Sequence, residues 1–393
     1  SLYFVAVSSS GEPEVVLRQQ LEFVHNQILF ILTSQIQDIL KANPSRDIRE
    51  LMGSDTSRLI DATCKANVTP PYIVFSSLRG FSLDTGLRYQ LLHQLKCSLR
   101  GANAAFGCIL FEDSLLCFAT NDAMEVVVDV ADILLLTQFV KHSSSLRSHD
   151  ENCVPICLPS LNDRGFVQAY IASLGSLESS ERSASYLSLV LISAGAADAG
   201  DFKKMHDARV SLQEAVCVEP FYSQLRRAMS AQDTVCRPYL SSILCSHFFY
   251  KFTPSCGTIP AQCIWSGEES AGQHESGSNE MSSRIWTYCY RLAVCLREGS
   301  SSPECTLLTS DRKETSPQRS KISGNSLVQH PAADHALAYA VTEEGTTVVG
   351  LATSDSELYA AFPSTVSALD GCGLANYLTR LLRKDSDTLF HVL

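Results

Sequence analysis

Two hydrophobic periods succeed each other along this chain. LYFVAV, Leu2 to Val7, is an uninterrupted apolar run, the pattern of a strand buried on both faces. Such a strand needs neighbours, and none precedes it here, so the sequence reads as a fragment whose upstream strands are missing; the alternative is a segment at an edge under a later helix. After Ser10, Gly11 and Pro13 the spacing changes to three and four: Leu17, Leu21, Val24, Ile28, Ile31 and Leu32 form a helical stripe, extended by Ile36, Ile39 and Leu40. Proline is tolerated in a first helical turn, and Asn43 with Pro44 stops the helix. A second helical stretch spans 47–66. YIVFSSL then reads as a strand and 87–99 as a helix. AAFGCILF, the turn Glu112–Asp113–Ser114 and LLCFA form a hairpin, closed by a helix over 125–140.

A polar connection, 143–150, leads to VPICLP, where Pro155 and Pro159 enforce extended geometry and remove donors. That places the segment at a sheet edge or on a crossover. Residues 165–174 and 186–193 form a second hairpin, followed by a helix over 201–217. Beyond Pro220 a helical stretch runs through Pro238 to ILCSHFFYKFTP. The Gly-, Ser- and Glu-rich stretches 266–283 and 298–331 are expected to be disordered. Between them 286–296 reads as a helix with Trp286, Tyr290 and Ala293 on one face. HALAYAV, TTVVGLAT and ELYAAF make a final meander, followed by a helix over 366–384 and the apolar run TLFHVL. Strands followed by a helix thus recur at 2–40, 104–140, 165–217 and 336–384, as a repeat of element order rather than of residues.

Composition narrows what this pattern can do. A chain of 393 residues suits two to four domains, and 45% hydrophobic with 19% charged residues supports packed cores. The net charge of −11 argues against general nucleic-acid or membrane binding. Fifteen cysteines, an odd number, are spread along the sequence. Many, such as Cys108 and Cys117, sit inside apolar runs where a thiol acts as a small hydrophobe, so a reducing compartment is expected. No leader pattern and no apolar run of membrane-spanning length is present.

The candidate chemistry is sparse. Cys153 and Cys157, near His142 and His149, lack a second zinc knuckle. Gly371 and Gly373 lack the third glycine and the acidic residue of a dinucleotide site. His25 has no acid or nucleophile at helical spacing, and there is no G-x-S-x-G elbow or P-loop. No catalytic residue, cofactor or metal is expected. Lys203 with Lys204, Arg226 with Arg227, and Arg380, Arg383 and Lys384 read as solvated helix faces, with contact to anionic lipid as the functional alternative.

Around the central junction the order ILLLTQFV, VPICLP, Asn162, Gly165–Phe166 and AYI resembles the SAND family, the vacuolar fusion proteins of the Mon type. VAVS, LRQQLEFVHNQILFILT and DIRELMGSD are similar to the last strand and following helices of the family's first longin domain. FFYKFTP, SELYAAF and RLLRKDSDTLFHVL are similar to its third. Two departures stand out: Cys153 occupies a position where the family usually has tryptophan, and the segment after Tyr250 and Lys251 is shorter. The resemblance implies an α/β (α+β) chain of tandem longin domains, each an antiparallel-rich sheet packed by helices, with the first truncated. The domains would be 1–68, 69–217 and 218–393, the third carrying the two insertions. It further implies a heterodimer with a Ccz-type triple-longin subunit that acts as guanine-nucleotide exchange factor for a late-endosomal Rab GTPase. Recruitment by an early-endosomal Rab GTPase and phosphatidylinositol 3-phosphate would bring a cytoplasmic protein peripherally to endosomal or vacuolar membranes. Leu2, Tyr3, Phe4, Val5 and Ser8 are then the expected GTPase or partner contacts. The alternative is a longin-based trafficking scaffold or adaptor without exchange activity.

Overall fold

The computed structural model describes residues 3–392 apart from 9–10, 44, 53, 66–69, 144–150, 178–184, 194–198, 255–258, 267–275, 300 and 311–334. Leu2, His149, most of the 143–150 connection and much of the two expected disordered stretches lie outside the described residues.

The first apolar run departs from expectation. Tyr3 to Ser8 belongs to no strand, and Tyr3, Val5 and Val7 are exposed while Phe4 and Ala6 are half-buried. The alternation is that of an extended segment lying on a helix, not of a strand covered on both faces. The long helix is also divided. Helix α1 (Glu14–Leu32) ends where Thr33 adopts a left-handed φ of 59°, its N–H closing on Leu29 O at 2.8 Å. The next N–H, of Ser34, leaves the helix to donate to Asp163 O at 2.7 Å, and α2 (Ile36–Ala42) restarts beyond. The apolar period continues through the break, which is why it was invisible in the pattern. The stretch 47–66 is likewise a 3₁₀ turn (Ile48–Glu50) and α3 (Ser54–Lys65) rather than one helix.

YIVFSSL is not a strand either. Pro71 supplies the fixed φ of a first helical turn, giving α4 (Pro71–Val74), and only β1 (Leu78–Gly80) is extended. Helix α5 (Thr85–Ala102) follows, N-capped by Asp84, whose carboxylate accepts from Gly86 N and Leu87 N. The hairpin is as expected, β2 (Ala104–Phe111) and β3 (Ser114–Thr120), with Glu112 at φ 54° in its turn. Helix α6 (Val130–His142) starts five residues later than the pattern suggested, at an Asp129 cap. Strand β4 (Glu151–Leu158) contains VPICL and is an edge strand, where the missing N–H of Pro155 is harmless, whereas Pro159, expected to be extended, opens the next helical turn. A short turn of helix, α7 (Pro159–Asn162), leads into the hairpin β5 (Asp163–Leu177) and β6 (Ser185–Ser193), then α8 (Ala199–Val216), α9 (Phe221–Ser230) and α10 (Arg237–Ser242). Strands β7 (His247–Phe252) and β8 (Gln262–Trp265) precede α11 (Ser276–Glu298) and β9 (Thr306–Ser310). Both of the last two reach into stretches expected to be disordered: Ser276 to Ser283 is helical, and β9 pairs with β10 through alternation too short to register in a polar context. The final meander, β10 (His335–Val341), β11 (Thr347–Thr353) and β12 (Ser356–Phe362), is followed by α12 (Ala368–Lys384) and α13 (Ser386–Leu389).

Among the described residues the twelve strands form one sheet in the order β4-β5-β6-β2-β3-β1-β8-β7-β12-β11-β10-β9. The order contains one topology twice. A hairpin, a helix, a three-strand meander and a helix give β3-β2-β6-β5-β4 in one half and β8-β7-β12-β11-β10 in the other, with β9 added at the edge. The halves meet at β1, which pairs parallel with both β3 and β8, Arg79 standing opposite Ser114 and Cys263. Strand alternation feeds two faces: in β7, Phe248 and Tyr250 point one way and Phe249 the other. One face carries α1, α3, α4, α6 and α11 over a core that runs across both halves. The opposite face carries α5, α8 and α9 over the first half and α10, α12 and α13 over the second. Phe75 ties the α4–β1 connection to the second half on the first face, stacking between Phe249 at 4.6 Å and Tyr359 at 4.9 Å between ring centroids.

The tail that follows α12 closes the seam on the second face. Phe390 and Leu389 O lie so close to Gly80 that an added Cβ would stand 2.8 and 3.0 Å from them. Gln262 donates to His391 O at 2.7 Å and accepts from His391 N at 2.8 Å. His391 Nε2 reaches Phe118 O at 2.8 Å, and burial holds its pKa down at about 4, so the neutral ring donates. Fully buried Arg88 donates to Leu116 O, Phe81 O and Thr388 O at 2.6, 2.7 and 2.9 Å. One guanidinium therefore joins α5, β3 and the tail.

Candidate interaction surface

The family resemblance implies GTPase or partner contact at Leu2, Tyr3, Phe4, Val5 and Ser8. Of the described members, Phe4 is the anchor: its ring meets His25 of α1 edge-on at 5.5 Å, and burial lowers the pKa of His25. Ser8 bonds Glu12. Tyr3 and Val5, with Val7, are left presenting apolar side chains to solvent. Gly11, at φ 75°, carries the segment onward, and its carbonyl accepts from Arg291 of α11 at 3.0 Å. Arg291 also pairs with Glu304, and a 410 Å³ cleft opens here between Pro13, Val294 and Pro303. The extended segment is thus held at Phe4 and at Gly11, with its outward side chains uncovered.

The basic residues do not gather into one patch. Lys203 and Lys204 project from α8, and Lys204 pairs with Asp201 at 2.9 Å. Arg226 and Arg227 are exposed on α9, and Arg380 and Lys384 on α12. Arg383 is committed to Asp355 and donates to Thr353 Oγ1 at 2.8 Å. All these helices lie on the sheet face opposite α1 and α11.

The buried charges are structural. Asp113 in the β2–β3 turn meets Lys141 at 2.6 Å and Arg79 at 3.4 Å; burial alone would raise its pKa, and the two cations reverse that and hold it low. Arg79 in turn lies over the Trp265 ring at 4.9 Å. Glu357 sits between Lys251 at 3.6 Å and Arg297 at 3.3 Å, which likewise overcome the burial that would raise its pKa. Asp132 is different. Its carboxylate accepts from Ser160 N and Leu161 N at 3.2 and 3.1 Å, tying α6 to the turn after VPICLP, yet burial lifts its pKa to about 6. Cys157 donates to Asn162 O beside it, while Cys153 is exposed near Gln168, so the two cysteines do not converge. Gly371 is packed under Thr347, Phe362 and Val349. Among the described residues no group of three or more His, Cys, Asp and Glu could hold a metal ion, and no helix is long and apolar enough to cross a membrane. Sequence reasoning did not single out Arg88, Asp132, Arg291 or His391. The available signal was a charged or polar residue interrupting an apolar helix or run, as in VADILLLTQFV and TLFHVL.

Such an assembly of twice-repeated hairpin, helix, meander and helix units has the architecture of tandem longin domains. Residues 1–62 match the family model "First Longin domain of FUZ, MON1 and HPS1" and residues 102–212 match "Second Longin domain of FUZ, MON1 and HPS1". The chain is similar to Protein SAND of Takifugu rubripes, 27% identical over 58% of this chain and 41% of that protein. It is also similar to vacuolar fusion protein MON1 homolog A of Homo sapiens, 27% identical over 64% and 36%. With vacuolar fusion protein MON1 of Yarrowia lipolytica the identity is 33% over 43% and 31%. The two family models and these relatives support a Mon/SAND family member, and the matches span less than half the length of these relatives.

Proposed function

We propose that the chain acts in vesicle trafficking and vacuolar fusion, as a subunit of a heterodimeric exchange factor that pairs with a Ccz-type triple-longin protein and activates a late-endosomal Rab GTPase. The observation that carries the reading is the extended segment Tyr3–Ser8, which is held down through Phe4 and Gly11 and turns Tyr3, Val5 and Val7 outward. An extended backbone with uncovered apolar side chains suits strand addition by a partner, in which main-chain bonds give affinity and alternate side chains give specificity. It lies within the residues matched to the first longin domain. Exchange requires no acid, base or nucleophile. A factor that binds the nucleotide-free GTPase more tightly than the nucleotide-bound form lowers the barrier to release by differential binding alone. Burial pushes the thiols of Cys117 and Cys263 up to about 12 and so keeps them out of nucleophilic chemistry. Recruitment by an early-endosomal Rab GTPase and phosphatidylinositol 3-phosphate completes the proposal, with the exposed cations Lys203, Arg226 and Arg227 meeting the anionic lipid.

Capture of the nucleotide-free GTPase by the heterodimer tests the site. Tyr3→Asp with Val5→Asp should lower capture of partner or GTPase at least tenfold, the equivalent of about 1.4 kcal/mol, without moving the unfolding temperature. Undiminished capture of both would remove the segment from the interface.

A further inference from the structure

Helix α12 buries Cys372, Ala375, Leu378 and Leu382 against the final meander. Its outer side is unusual for an exposed helix. Leu369 is 74% and Tyr377 51% exposed. Between them stands Gly373, where an added Cβ would meet nothing within 4 Å. Glycine inside an exposed helix costs about 1 kcal/mol relative to alanine, and among the described residues no neighbour requires it. Gly371 contrasts, because three side chains crowd the place of its Cβ. At 100° per residue, Asp370, Gly373, Tyr377, Arg380 and Lys384 fall on one face, all exposed. Arg383 points aside to Asp355, and Ser367 holds the Asp370 carboxylate at the helix start, 2.7 Å away.

We infer that this face binds a second copy of the chain, through an antiparallel α12–α12 pair about a two-fold axis midway between Gly373 and Tyr377. A two-fold contact requires a patch complementary to its own reversal, and this one is. Reversal about that midpoint sets Tyr377 over Gly373 of the other copy and brings Asp370 level with Arg380 of the other copy, twice each. Glycine lets the aromatic ring and the facing backbone approach closely, and acid at one end with cation at the other makes the antiparallel sense attractive and the parallel sense repulsive. The pair of helices alone falls at the small end of specific interfaces, below about 1,200 Å² in total, so the dimer is reversible and weakens with salt. The surface lies on the sheet face opposite α11 and the segment it holds, so the inference does not depend on the exchange-factor reading.

Sedimentation equilibrium of the full chain tests it. The average mass should rise from that of one 43.0 kDa chain at roughly 1 µM toward twice that value near 100 µM, the range set by a reversible micromolar contact. Gly373→Gln, which should unfold no more readily than the parent because glutamine is the better helix former, should stay at one chain throughout. Arg380→Asp and Asp370→Lys should each weaken association at least tenfold, since each places like charges opposite one another. An equimolar mixture of these two variants should dimerise again, because only the mixed pair has opposite charges at both ends. A parent chain that is monomeric across the range, including one whose α12 face instead binds anionic vesicles, overturns the inference. So does a mixture that associates no better than its components.

Discussion

Replacing Asp132 by asparagine tests the reading of the central junction. The carboxylate bridges α6 to the turn after VPICLP through two backbone N–H groups, but it does so in a nearly solvent-free site. Burial raises its pKa from 3.8 to about 6, the two backbone bonds offset part of that, and Asp129 adds to the rise. The folded state therefore holds this proton where the unfolded chain has released it. Stability from this group is complete below pH 3.8 and is lost as pH rises to about 6; the interval corresponds to about 3 kcal/mol. Asparagine keeps one acceptor and cannot ionise. At pH 4 the variant and the parent should be nearly equal, since a protonated carboxyl also offers one good acceptor. By pH 7.5 the variant should gain about 3 kcal/mol relative to that comparison. Urea unfolding of both chains, followed by circular dichroism at intervals from pH 4 to 7.5, gives the difference directly. A difference that is flat with pH, or that turns near the ordinary carboxylate value, would refute the reasoning.

Three further perturbations probe the seam and the turn. Gly80→Ala drives a Cβ into Phe390 and Leu389 O, at a cost of about 1–3 kcal/mol, and should strip hydrogen-exchange protection from Thr388 to His391; unchanged protection there would mean that the tail does not depend on the seam. Gln262→Leu leaves the buried N–H and C=O of His391 unpaired, costing about 2–4 kcal/mol, and should expose the same residues in exchange. Asp113→Asn abandons Lys141 and Arg79 in a buried site, so stability should drop at pH 7. Because the folded pKa of Asp113 is lowered, its contribution is present above 3.8 and lost as pH falls through the folded value; the deficit should shrink in acid, and a deficit that grows in acid would contradict the pairing.

Much of this molecule was legible where period and punctuation agreed. The β2–β3 and β5–β6 hairpins, the meander β10–β12 and the edge position of VPICLP follow from strand runs, turn residues and two prolines. Period alone fails where the backbone turns without disturbing the apolar spacing, as at Thr33. Composition fails where a polar sequence is captured by a neighbour, as β9 is by β10 and the start of α11 is by its own helix. The central strand β1 was hidden because Pro71 starts a helix inside an apolar run and leaves only Leu78–Gly80 extended. LYFVAV was expected to be covered on both faces, whereas Tyr3, Val5 and Val7 face outward. Its attachment through Gly11 and Arg291 joins residues 280 apart in sequence, a distance across which no local pattern carries information.

The proposed role is tested most directly by the release of labelled GDP from the late-endosomal Rab GTPase in the presence of this chain, the Ccz-type subunit, or both. The expected result is spontaneous release with either subunit alone and at least tenfold acceleration by the heterodimer, about 1.4 kcal/mol off the barrier. A stable heterodimer that leaves release at the spontaneous rate would contradict the exchange function and leave the trafficking adaptor in its place.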